Sequence, residues 1–109
     1  MKEQDHLERA KKIENDFEKV QSDEARAECL YGAVFNYIAY FTGGRTGEHK
    51  DAHKNLHKFL IEKGFLKLAS LWEEVERIRE GGWYGKRGFP ERGFEILKEV
   101  KGEIEWKKR

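Results

Sequence analysis

The sequence predicts an all-α fold, an up-and-down bundle of four to five helices in a single domain over residues 1–109. Three observations predict it. Apolar residues recur at spacings of three and four along most of the chain, and no segment alternates with the period of two that a half-buried strand needs. Glycines punctuate the periodic segments, and the short connections favour antiparallel neighbours. The stretch from Ala25 to Phe41 is apolar on nearly every side and too long for a strand, which places it at the centre of a bundle or in a subunit interface.

The elements follow in order. Leu7, Ala10, Ile13, Phe17 and Val20 form one stripe on an otherwise charged first helix. Ser22 is placed to cap the second helix, with Asp23 and Glu24 in its first turn, where the helix dipole favours acidic groups. Gly32, Ala33 and Ala39 let neighbouring helices approach its axis. Its Tyr31, Phe35, Tyr37, Tyr40 and Phe41 offer more aromatic surface than a chain of this length readily covers, which predicts a homodimer. Gly43-Gly44 is predicted to stop this helix, with Arg45-Thr46-Gly47 as loop. The third helix runs from about Glu48 to Lys63 on Ala52, Leu56, Phe59 and Leu60, and Gly64 ends it. The fourth runs from about Leu66 to Glu80 on Leu68, Leu71, Trp72, Val75 and Ile78. Gly81 to Phe89 is a glycine-rich loop. Pro90 fits the first turn of the fifth helix, whose core face is Phe94, Leu97, Val100 or Lys101, and Ile104.

Composition narrows the function classes. The 22 basic and 21 acidic side chains leave a net charge of +1, which does not mark a general nucleic-acid binder and leaves room only for a local patch. Aromatic residues at 13% supply the apolar area that a disordered chain lacks. Lys and Glu abound while Gln, Asn, Met and Cys are scarce, a thermophile habit. No run of 18 apolar residues is present, so no membrane association is expected. A charged N-terminus without an apolar core, together with a lone Cys29, points to a reducing, cytoplasmic setting.

Three constellations carry chemistry. Arg45, His49 and His53, with Lys50 and Lys54, gather at the start of the third helix, where a guanidinium and an imidazole can hold a phosphodiester and move a proton. A solvated mixed-charge face, diluted by Glu48 and Asp51, is the alternative. His49, His53 and His57 repeat every four residues on one helix flank, the spacing of a shared Zn²⁺ or Ni²⁺ site, although no Cys or second His cluster completes a tetrahedron. The alternative is one boundary His and two solvated ones. In the Gly81–Phe89 loop, Trp83, Tyr84 and Phe89 offer stacking surfaces while Lys86 and Arg87, with Arg79 just before them, can hold phosphate. The alternative has the aromatics plugging the bundle end. No cofactor fingerprint is present and none is expected.

The order of these features resembles a HEPN domain. The matching pieces are Leu30-Tyr31-Gly32-Ala33-Val34-Phe35-Asn36-Tyr37, then Ala52-His53-Lys54-Asn55-Leu56, then Arg77-Ile78-Arg79-Glu80-Gly81-Gly82-Trp83-Tyr84-Gly85, within roughly Glu8 to Glu105. Among HEPN groups the chain is most similar to small archaeal stand-alone domains. The resemblance implies a bundle of four or five helices, frequently a homodimer, that binds RNA or nucleotide, and a toxin–antitoxin type pairing with a nucleotidyltransferase. Ribonuclease members carry an Arg followed at short spacing by a His near the last helices. No His follows Arg79 here, and Arg45-Thr46-Gly47-Glu48-His49 comes nearest to that pattern. A metal-independent ribonuclease and a catalytically silent interaction and dimerisation module are the other two readings.

Overall fold

The helix that is apolar all round becomes the axis of the molecule. The computed structural model describes residues 3–46, 55–83 and 88–108. They form five helices and no strand: α1 Glu3–Lys19, α2 Asp23–Thr46, α3 Leu56–Glu62, α4 Leu66–Trp83 and α5 Arg92–Lys108. α2 packs against α1, α4 and α5, and α3 packs on α4. Pairings along the helices show the directions. Glu28 meets Arg79 and Phe41 meets Phe65, so α2 and α4 are antiparallel. Lys67 meets Glu99 and Glu74 meets Arg92, so α4 and α5 are antiparallel as well. Among the described residues, no helix is long and apolar enough to cross a membrane.

Leu30, Ala33, Val34, Ile38, Ala39 and Phe41 of α2 are fully buried, on all sides of the helix. Each large side chain so covered contributes about 1.5–3 kcal/mol of hydrophobic stabilisation. Close approach depends on Gly32, where an added Cβ would lie 3.3 Å from Ile13 Cδ1 of α1. Tyr31, Phe35, Tyr37 and Phe41 are buried within the chain itself. Four of the five aromatics of α2 are thus covered by the bundle, where α1, α4 and α5 pack on the same helix, and Tyr40 is partly buried.

Ser22 caps α2 as predicted, its Oγ accepting from Ala25 N–H at 3.1 Å. Gly43-Gly44 does not stop the helix, which continues to Thr46. A helical glycine costs only about 1 kcal/mol relative to alanine. Full burial of Phe41 and Thr42, with Phe41 edge-on to Phe65 at 5.1 Å, holds the last turns in place against that cost. α4 likewise runs through Gly81-Gly82 to Trp83, past the predicted end at Glu80. Gly64 does end α3, at φ +82, with Phe65 N–H donating to Leu60 O at 2.8 Å and Gly64 N–H to Ile61 O at 3.1 Å. That pair of bonds is the Schellman arrangement, and its left-handed position suits glycine. The start of the predicted third helix, from Glu48 to Lys54, lies outside the described residues.

On α5 the buried face is Ile96, Leu97, Val100 and Ile104, while Lys101 is turned to a partner on α1. Phe94, expected in the core, is 45% exposed. It sits in the first turn of α5, beside Phe17 and Phe89, at 5.4 and 5.1 Å. Pro90 stands just before the helix, its carbonyl accepting from Gly93 N–H at 2.9 Å.

Candidate functional site

Two places on the bundle bring functional groups together. The first is the end where α4 terminates beside the start of α2. Arg79 Nε donates to Glu28 Oε1 at 2.8 Å, and its guanidinium carbon lies 4.2 Å from the centre of the Tyr31 ring. Tyr31 packs on Trp72 at 4.8 Å, and Trp72 on Phe35 at 6.0 Å. A guanidinium thus caps a column of rings rooted in the core. The hydrogen bond that Arg79 donates to Glu28 pushes the Arg79 pKa up. Burial pushes the Tyr31 phenol up, and the Arg79 charge works against that rise. Burial also raises the Glu76 carboxyl, with His57 opposing and Glu80 and Glu73 adding to it.

The segment carrying Lys86 and Arg87 is anchored here at both ends. Upstream it leaves α4 at Trp83. Downstream, Gly88 adopts φ +70 against α2, where an added Cβ would lie 3.1 Å from Asp23 Oδ2. Phe89 then packs on Phe17 at 5.7 Å. Tyr84, Lys86 and Arg87 themselves, and the side chain of Trp83, lie outside the described residues.

Of the other predicted cluster, only the Arg45 backbone is described. Arg45 is in the last turn of α2, with its side chain outside the description. Seventeen residues separate it from Glu28, roughly 25 Å along a helix axis. The Arg45 backbone and the Arg79 guanidinium are therefore at opposite ends of α2. His49 and His53 lie outside the described residues. Of the His49/His53/His57 ladder only His57 is described, and it faces Glu73. Its Nε2 is 3.4 Å from Glu73 Oε2, with the imidazole 41% exposed. Among the described residues, no three His, Cys, Asp or Glu side chains come together as a metal site. Cys29 is partly buried, and burial, with Asp16 and Glu28 nearby, pushes its thiol up, the opposite of an activated nucleophile.

The second place was not anticipated. α1 and α5 both flank α2 and leave a cleft of about 560 Å³ between them. α2 supplies Tyr37 and Tyr40, and Leu7 and Ile104 line the cleft from the two flanking helices. One end is closed by polar groups. Tyr37 Oη donates to Glu14 Oε1 at 2.5 Å, and Lys101 Nζ donates to Glu14 Oε2 at 2.9 Å and Oε1 at 3.3 Å. Burial, and then the hydrogen bond and charge of Glu14, push the Tyr37 phenol far above its ordinary range. Lys11 and Glu105 complete the lining. A volume of this size lies in the range of small-molecule sites. One sequence signal pointed this way: a tyrosine inside an apolar helix must find a partner for its hydroxyl. Glu14, 23 residues upstream, and Lys101, 87 residues beyond Glu14, are too distant for any local pattern to join them.

A third polar cluster is structural. His6 is 3% exposed, and its Nδ1 lies 2.8 Å from Asn36 Oδ1. Asn36 Nδ2 donates to Gly32 O at 2.8 Å, which leaves Oδ1 as the acceptor and puts the proton on His6 Nδ1. No protein-family model, curated protein or solved structure matches the chain.

Proposed function

We propose that the chain is a HEPN-like helical domain that binds RNA or nucleotide where α4 meets the start of α2, and that it acts as a homodimer in a toxin–antitoxin type pair with a nucleotidyltransferase. The observation that supports the binding site is the Arg79–Tyr31 stack. A guanidinium held 4.2 Å over a ring, and hydrogen-bonded to Glu28 and to the Tyr31 side chain, is fixed in position, and its planar fork has five N–H donors, more than these two partners use, to offer a phosphate. The side chain is 41% exposed, so a phosphate can reach it. Lys86 and Arg87 belong to the segment anchored at the same end, and such a combination of cations and rings is what a single strand or a nucleotide requires.

The test is native mass spectrometry of the purified protein with a panel of nucleotides and short RNAs. Binding that falls at least about tenfold, or 1.4 kcal/mol, in Lys86→Ala/Arg87→Ala and in Arg79→Lys supports the reading. Arg79→Lys keeps the charge and removes the fork. Binding left intact by both variants, or absent from the whole panel, sinks it.

A second reading, an interaction module without catalysis, is favoured by a specific observation. Leu66 and Trp106 are 61% and 70% exposed, and Ile61 and Phe94 are also uncovered. A chain that ignores the nucleic-acid panel but loses self-association in Trp106→Ser would fit this second reading.

A further inference from the structure

The cleft between α1 and α5 carries an inference independent of RNA binding. We infer that it is a binding site for a small aromatic anion, a planar ring bearing one carboxylate, sulfonate or phosphate group. The polar end decides the sign of the ligand. Glu14 is already satisfied: its side chain is only 20% exposed, and it accepts from the Tyr37 hydroxyl and from Lys101. An incoming cation would have to displace the tethered Lys101 ammonium, which starts 2.9 Å from the carboxylate. An incoming anion displaces nothing. A lysine ammonium has three N–H donors, and Lys101 directs its contacts to the two oxygens of Glu14, which leaves a third donor for a ligand oxygen. Lys11 of α1 lines the same cleft and brings a second positive charge to its lining.

The apolar part decides the body of the ligand. Leu7, Tyr40 and Ile104 line the rest of the cleft, and Tyr40 is only partly covered by the protein. A flat ring fits against these surfaces with its anionic group toward Lys11 and Lys101. Glu105 sits one turn beyond Lys101 on α5 and lines the same cleft. Its charge opposes an anion and would favour a cation. That makes Glu105→Gln a discriminating variant, because it alters the charge of the cleft without touching the Glu14–Tyr37–Lys101 group.

The experiment titrates the intact protein with 2-naphthoate and, in parallel, with 2-naphthylmethylammonium, a cation of matched size. Methyl NMR reports the position and calorimetry the affinity. The expected result is saturable one-to-one binding of naphthoate, at least about tenfold tighter than the cation, with shifts at the Leu7 and Ile104 methyls. Lys11→Gln and Tyr40→Ala should each weaken naphthoate severalfold, and Glu105→Gln should strengthen it. Lys86→Ala/Arg87→Ala should leave it unchanged. The proposal is overturned by tighter binding of the cation, by weakening in Glu105→Gln, by shifts centred on Ile61 and Leu66, or by no saturation with either probe.

Discussion

The Tyr37 hydroxyl donates to the Glu14 carboxylate at 2.5 Å, across the face where α1 lies on α2. Tyr37 is 5% exposed, and the bond is part-buried at the polar end of the cleft. Tyr37→Phe removes the donor and leaves Glu14 to Lys101 alone. The expected cost is about 1.5–3 kcal/mol in chemical denaturation, the range for a hydrogen bond to a charged group.

The same bond sets an alkaline limit. The phenol of Tyr37 is raised above its unfolded value by burial and by Glu14. Its contribution to stability is therefore fully present below pH 10 and is lost as pH rises further. Absorbance titration at 295 nm should show a late-ionising phenol that is missing in Tyr37→Phe. A Tyr37→Phe variant with an unchanged titration would contradict the assignment.

His6, Asn36 and the Gly32 carbonyl form a second tie between α1 and α2. Asn36→Ala strands the His6 N–H in a buried position. The single variant should lose about 1–3 kcal/mol. A double-mutant cycle with His6→Ala should return a coupling of about 0.5–3 kcal/mol, and a coupling near zero would show the pair to be independent.

Two glycines should respond to alanine with opposite signs. Gly64 is at φ +82 with open space around its Cβ position, so Gly64→Ala meets no clash and costs about 1–2 kcal/mol through the backbone alone. Gly102 lies inside α5, also with open space, so Gly102→Ala should gain about 0.4–1 kcal/mol. Thermal melts of the two variants read both signs at once.

Arg92 grips Glu74 through two hydrogen bonds, at 2.9 and 3.0 Å, and also contacts Glu99, joining α4 to α5. The Arg92 hydrogen bond is the main cause that holds the Glu74 carboxyl below its ordinary value, against the effect of burial. The stabilisation from this group is present above the unfolded carboxylate pKa and disappears as pH falls through the lower folded value. Melting temperature should therefore drop more steeply on acidification in the parent than in Glu74→Gln.

Much of the bundle was legible because helix periodicity is local. The stripes of α1 and α4, the Ser22 cap and the Gly64 stop all follow from residues within a turn or two of each other. Gly43-Gly44 misled because propensity is a small term, and burial of Phe41 and Thr42 outweighs it. The aromatic richness of α2 was read as surplus surface, yet a central helix has neighbours on several sides and needs that much side chain to fill them. Of the candidate site residues, Arg79 has a described arrangement on a ring, and His57 a carboxylate neighbour, where a metal ladder was considered. The partners of Arg79, Glu28 and Tyr31, are 51 and 48 residues away, so no spacing rule could supply them. The Glu14–Tyr37–Lys101 group was illegible for the same reason.

Lys101 reaches Glu14 across 87 residues of chain, so the first and last helices share one ion pair. During synthesis on a ribosome, α1 and then α2 emerge and can pair as a hairpin while α5 has not yet been made. Until then Glu14 lacks its ammonium, and the far wall of the cleft does not exist. The cleft is thus absent from the α1–α2 hairpin and comes into being only once α5 has been made and has packed beside it.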